Sequence, residues 1–211
     1  MAGHGHGHGH CCHEHNSTVQ GNEDSANAFN LYLKIDTDRI VCLNEAVEDS
    51  GKHVFKPWNE RFSKEKYVDS DVDEELLFNI PFTGHVKLKS IIVIGGGENT
   101  DPSKMKLFKN RPAMTFDDTN AEADQEFDLN PDPEGELQYA TKVARFNQVE
   151  HLTIYFPTNF GAELTRIYYI GLRGDFTTIK RHGVTICNYE ARANPADHKV
   201  NSLEMMGKMI Q

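Results

Sequence analysis

The chain has 211 residues, a net charge of −10, 38% hydrophobic residues and 26% charged residues. That length supports one domain with tails around a real core, and the low apolar share assigns part of the chain to solvated segments. The acidic balance, with no lysine- or arginine-rich stripe interleaved with aromatics, argues against nucleic acid as a partner, and no apolar run approaches the ~20 residues needed to cross a bilayer.

Residues 1–27 form a low-complexity head: "GHGHGHGHCCHEH" over Gly3–His15, followed by a polar stretch. Nothing in it offsets the entropy of ordering, so the head is expected to be disordered. Its chemistry is that of a metal ligand. With Met1 removed, the amine of Ala2, two amides and the His4 imidazole can enclose Cu(II) or Ni(II) in a square plane. His6, His8 and His10 add imidazoles, and Cys11, Cys12, His13 and His15 offer soft and borderline zinc ligands. A structural zinc site normally separates two ligand pairs by a loop, so a site here is loose and adaptable, and the fold itself requires no cofactor. The head lacks the apolar core of a secretory signal. Cys11, Cys12, Cys42 and Cys187 are therefore expected as thiols in a reducing compartment, the cytoplasm and also the nucleus.

From Phe29 the texture is that of a β-protein. "NLYLKI" alternates Leu31 and Leu33 and predicts a first strand. Asp36 is placed to cap a short helical turn through "TDRIVCLNEA", with Ile40, Val41 and Leu43 facing inward. "EDSGKHVFKPWNERFSKEKYVDSD" has no sustained period and, with Pro57 and the lone Trp58, predicts a structured loop plugging one edge or end of the fold. "ELLFNIPF" predicts a strand ending near Pro81, and Thr83-Gly84 a turn into "HVKLKSIIVIG". Within that segment Ile91 to Ile94 are apolar on both faces, as in a central strand. "SKMKLFKN" alternates Met105 and Leu107 with lysines, and an acidic irregular segment covers Phe116 to Glu134. "ELQYATKV", "EHLTIYF", "TRIYYIGLRGDF" and "VTICNYEA" complete the series, the second as a one-sided strand with Leu152, Ile154 and Phe156 inward. From Asn194 the pattern fades into a tail whose Leu203, Met205, Met206, Met209 and Ile210 form a weak amphipathic stripe. Strands this short, with turns rich in Gly, Pro and Asn, predict an antiparallel sandwich or barrel.

Motifs that imitate active sites fail on spacing. Gly95-Gly96-Gly97 follows a strand without the Gly-Lys-Ser/Thr of a phosphate loop, and predicts a hairpin turn. Asp69, Asp71 and Asp73 begin like a calcium loop, but Glu74 stands where glycine is required and Ile80 where the bidentate Glu belongs. Arg173-Gly174-Asp175 spells an adhesion tripeptide and predicts a turn at a strand end. His53, His85, His151, His182 and His198 are isolated, with no His-x-His pair for a metal oxygenase. There is no Gly-x-Ser-x-Gly elbow and no Cys-x-x-Cys, and Cys42 and Cys187 sit in apolar contexts. No catalytic residue is assigned, and the expectation is a protein that is not an enzyme.

One resemblance covers most of the chain. "YVDSDVDEELLFNIPFTGHVKLKSIIVIG", "DPSKMKLFKN", "FDLN" and "GELQYATKVARFNQVEHLTIYFPTNFGAELTRIYYIGLRG" in order are similar to the PITH domain, the proteasome-interacting domain of thioredoxin-like proteins. The likeness runs from Phe29 to Tyr189, giving an expected domain at 28–192 between the head and a tail at 193–211. It implies an all-β fold, a jelly-roll antiparallel β-sandwich of the galactose-binding-like type. It also implies association with the 26S proteasome, expected at its regulatory particle, as an accessory or regulatory factor without catalysis; the acidic charge is what predicts a monomer. The thioredoxin domain and its Trp-Cys-Gly-Pro-Cys motif do not occur here, so reductase activity is not carried over.

The family supplies no catalytic signature, so the candidate contacts come from residue type. Phe55, Trp58 and Arg61 in the plug loop, and Asp117 and Asp118 in the acidic segment, are the candidate partner-binding residues; Trp and Arg are common interface hot spots. The competing account makes Trp58 an anchor that holds its own loop to the core. Two further readings stand beside docking: a carbohydrate or small-ligand site using Trp58, Asn159 and Arg173, and metal binding through the head.

Overall fold

The computed structural model describes Met1 and residues 29–178. The head, "VTICNYEA" with Cys187, and the methionine-bearing tail lie outside the described residues.

Eight strands are present among the described residues: β1 Val41–Leu43, β2 Val68–Asp69, β3 Leu76–Gly95, β4 Lys104–Lys109, β5 Gln125–Asp128, β6 Tyr139–Ala140, β7 Val149–Phe156 and β8 Arg166–Thr177. All pairings are antiparallel. The 20-residue β3 organises them. Its first half pairs with β1 and β7, and β7 continues to β4 and β5. Its second half pairs with β8 and β6, and β8 continues to β2. The register shifts between Pro81 and Val86, so one strand bends from the first layer into the second. Leu76, Phe78 and Ile80, then Val86, Leu88, Ile91 and Val93, point into the main core between the layers. Phe78 is its aromatic hub, meeting Phe55 and Phe156 edge-on at 6.0 Å each.

The sandwich is the expected fold, and four local expectations are corrected. Thr83-Gly84 is not a reversal. Gly84 lies inside β3, where a Cβ would stand 2.7 Å from the Phe176 ring, so close packing and not a turn requires glycine. "NLYLKI" is a 3-10 turn, Tyr32–Lys34, because the Asn30 side chain accepts the Tyr32 N–H at 2.9 Å and coils the chain locally. Leu31 is buried, but Leu33 is 80% exposed. Asp36 opens a second such turn, Thr37–Arg39, yet its carboxylate binds the Arg39 guanidinium and not the backbone. The turn ends into β1, which leaves Val41 exposed. Arg173-Gly174-Asp175 lies within β8. Gly174 lets that strand approach the Lys87 carbonyl, and Asp175 pairs with Lys89 at 2.7 Å.

The outer faces of both layers carry small cores of their own. On the first, Leu77, Phe108 and Tyr155 are covered by the segment 111–124 through Met114 and Ala123. That cover also corrects the one-sided reading of β7, since outward Thr153 and Tyr155 are 1% and 6% exposed. On the second, Ile92, Ile94 and Tyr169 are met by Trp58 and Tyr168. Among the described residues no helix is long and apolar enough to cross a membrane.

Candidate functional site

The plug loop is built from its anchors outward. Val54 and Phe55 are buried in the main core, which fixes the start of the loop. Lys56 follows at 7% exposure, and its Nζ donates to the carbonyls of Ser63 (2.7 Å) and Lys66 (3.1 Å). That clip draws the loop closed, while burial lowers the ammonium from its ordinary pKa. Pro57 then leads into a 3-10 turn, Trp58–Glu60, which carries the indole onto the outer face of the second layer.

There Trp58 meets Tyr169 edge-on at 6.3 Å. The Arg61 guanidinium lies 3.9 Å from the Trp58 ring and 4.0 Å from the Phe62 ring, and donates to the Trp58 carbonyl at 3.1 Å. Arg173 reaches the same indole from β8 at 4.7 Å. Burial drives the Tyr169 hydroxyl from 10.0 up to about 12, against the pull of Arg173 and Arg61 beside it. Glycine at 171 is required here, because a Cβ would stand 2.7 Å from that hydroxyl.

A second cluster adjoins through Tyr168. Tyr168 meets Tyr67 edge-on at 5.9 Å, and the Arg166 guanidinium lies 4.4 Å from the Tyr67 ring. Arg166 Nε and Nη2 bind Asp69 Oδ1 and Oδ2, both at 2.6 Å, a bidentate pair that raises the Arg166 pKa. Phe62 and Tyr67 remain exposed. The outer face is thus a ledge of aromatic rings and guanidinium groups on an acidic protein.

The sequence-derived candidates divide accordingly. Trp58 and Arg61 come together, and Trp58 does both jobs: it packs on the small outer core and stays partly exposed. Phe55 leaves the set of exposed contacts, because it is 4% exposed and anchors the loop. Asp117 and Asp118 are exposed on the opposite outer face, beside a cleft of 470 Å³ lined by Arg111 and Met114. Asp118 is engaged locally: its Oδ2 accepts the Thr115 N–H and Oγ1–H, which holds the carboxyl below its usual range. Arg173 joins Trp58, but Asn159 is not its partner. The Asn159 amide donates to the Ala162 and Leu164 carbonyls, and its oxygen accepts from Gly161 and Ala162, so it is saturated as the keystone of its own loop. The metal candidates His4, His6, His8, His10, Cys11, Cys12, His13 and His15 lie outside the described residues.

Sequence reasoning missed Phe62, Tyr67, Tyr168, Tyr169 and the Arg166–Asp69 pair. The signal was present in "TRIYYIGLR", where Tyr169 and Arg173 stand four apart on one face of a strand.

This geometry defines a galactose-binding-like jelly-roll β-sandwich, with its distinctive side chains on surface loops and an outer sheet face. The chain belongs to the PITH domain family, whose model matches residues 21–193. PITH domain-containing protein 1 of Homo sapiens is 59% identical over 181 residues, 86% of each chain. The protein of that name from Danio rerio is 58% identical over 197 residues, covering 93% of this chain and 91% of the relative. Neither name carries an enzymatic activity. Among solved structures, the CBM32-1 and CBM32-2 domains of Clostridium perfringens ZmpB, in complex with GalNAc, superpose with a TM-score of 0.53. They share 7% identity, over 74% of this chain and 38% of that one, a likeness of fold.

Proposed function

We propose that the chain is a non-catalytic docking module that associates with the regulatory particle of the 26S proteasome as an accessory or regulatory factor. Family membership supports the choice of partner, since the PITH domain is the proteasome-interacting domain of thioredoxin-like proteins. The observation that carries a docking role in this chain is the Trp58–Arg61–Arg173 ledge with exposed Phe62 and Tyr67 beside it. Trp, Tyr and Arg are the side chains that dominate interface energetics. The proposed setting is the cytoplasm and nucleus, with the chain acting as a monomer.

The test is co-sedimentation of the purified full chain with purified 26S proteasome and, separately, with the isolated 20S core. Binding to the 26S particle alone is the expected result. Failure to bind the 26S particle, or equal binding to the core, overturns the reading. A carbohydrate site at Trp58 and Arg173 finds less support, because its amide hydrogen-bonder, Asn159, has no free donor or acceptor.

A further inference from the structure

We infer that Arg61 and Arg173, meeting on the Trp58 indole, form a carboxylate-binding site for an acidic segment of a partner protein. Acidic residues outnumber basic ones in this chain, 32 to 22, so a basic side chain has carboxylates to choose from. Among the described residues Arg39, Lys52, Lys89, Lys106 and Arg166 each find one. Arg61 and Arg173 are among the basic side chains that do not, and they are the two that share one indole. Their Cζ atoms lie 3.9 and 4.7 Å from the same ring centroid, so the two like charges can be no further apart than the sum of those distances.

Among the described residues the Arg61 guanidinium makes one hydrogen bond and that of Arg173 makes none. Arg61 uses Nη1 on the Trp58 carbonyl, and its Nε is buried with no acceptor. An N–H held away from water without a partner is unfavourable, and a guanidinium donates in a planar fork that a carboxylate matches. Arg173 is lowered from its ordinary pKa, first by burial and then by Arg61, against the opposing pull of Tyr169. A bound carboxylate supplies the missing countercharge and the missing acceptor together. Phe62, 51% exposed and stacked on Arg61 at 4.0 Å, gives an apolar side chain next to that carboxylate somewhere to lie. The ligand is therefore a peptide in which acidic and apolar residues alternate, in preference to a bare anion. The inference deepens the docking proposal and rests on it only for the bound molecule being protein.

Trp58 is the single tryptophan of the chain, so its emission reports on this site alone. The full chain is titrated with a capped tetrapeptide alternating Glu and Leu, with the same peptide carrying Gln for Glu, and with inorganic phosphate. The Glu peptide is expected to give a saturable change that weakens with added salt, and the Gln peptide none. Arg61→Gln and Arg173→Gln should each weaken binding about tenfold or more, as the loss of a charge-assisted hydrogen bond requires. Lys104→Gln, an exposed lysine of β4 on the other layer, should leave it unchanged. Melting curves establish that the variants are folded; if a Gln variant is not, Arg→Lys at that position tests the fork with the charge kept. No saturable change with the Glu peptide overturns the site. An equal effect of Lys104→Gln overturns it too, and phosphate matching the peptide overturns the peptide assignment. The titration needs no proteasome, so its failure is distinguishable from a failure to co-sediment.

Discussion

Asn79 pins the segment that carries Asp117 and Asp118, and replacing it should release that segment before the sandwich itself fails. Its side chain points outward from β3, is 9% exposed, and makes three hydrogen bonds. Nδ2 donates to the Met114 carbonyl at 2.9 Å, and Oδ1 accepts from the Met114 N–H at 3.1 Å and the Thr153 hydroxyl at 3.0 Å. Asn79→Leu keeps the branched shape and the heavy-atom count but orphans both backbone groups of Met114, a residue 4% exposed. Each orphan is worth about 1–3 kcal/mol. The loss is capped by the alternative of letting the segment open, which gives up burial of Met114, about 1.5–3 kcal/mol, and part of Phe116. The expected destabilisation is about 2–4 kcal/mol, read by urea unfolding, with a Tm fall on the order of 10 °C. Thr153→Val leaves the Met114 pairing intact and should lose less than about 1 kcal/mol. Hydrogen exchange at Met114 should accelerate by about thirtyfold in the Leu variant, with the β3–β8 amides little changed. A loss below about 1 kcal/mol for Asn79→Leu, or a Met114 amide already unprotected in the parent protein, would refute the reasoning.

Three other outcomes are expected. Asp69→Asn leaves Arg166 without its bidentate anion at a site where the two side chains are 17% and 32% exposed, and should destabilise by about 1–2 kcal/mol. Added salt should narrow the gap between parent and variant, as measured by urea midpoints. Tyr155 and Tyr169 are each raised from 10.0 to about 12, chiefly by burial. Their neutral forms are favoured by folding, so the stability they contribute is present below pH 10 and lost as the pH rises through 12. Tyr169→Phe should flatten part of that alkaline decline in pH-dependent melting; an unchanged decline would remove Tyr169 as its source. Deleting residues 1–27 should preserve the β-sheet circular dichroism while abolishing most zinc and copper uptake, and equal uptake would move metal binding away from His4–His15.

The inward face of the sandwich was legible because period-two patterning is enforced wherever one face is buried. Leu152, Ile154 and Phe156 on β7, Met105 and Leu107 on β4, and the doubly apolar Ile91 to Ile94 all lie as the pattern implies. The outer faces were not legible. Thr153 and Tyr155 resemble solvent-facing residues until a loop remote in sequence folds over them, and no local pattern encodes that cover. Pro81, Thr83 and Gly84 are ordinary turn residues, yet here they serve a bend, because the β7 and β8 pairings take hold on either side. The candidate site was half visible. Trp58 and Arg61 could be chosen by type, but their meeting with Tyr169 and Arg173 depends on β8 lying beside β3, which is a long-range fact.

That a single strand serves both layers bears on how the molecule is born. β3 leaves the ribosome apolar on both faces along much of its length, and its two principal neighbours, β7 and β8, are made last among the described strands. Neither half of the sandwich can close early, since β3 waits for β7 in one layer and for β8 in the other. Contact order is therefore high, and folding is expected to be slow and all-or-none, with no half that melts by itself. Until Thr177 emerges, the nascent chain holds a long unpaired apolar strand, the kind of segment chaperones shield. A stop or a destabilising change in β8 should consequently be felt as aggregation of newly made chains, well before any effect on the mature protein's docking face can be measured.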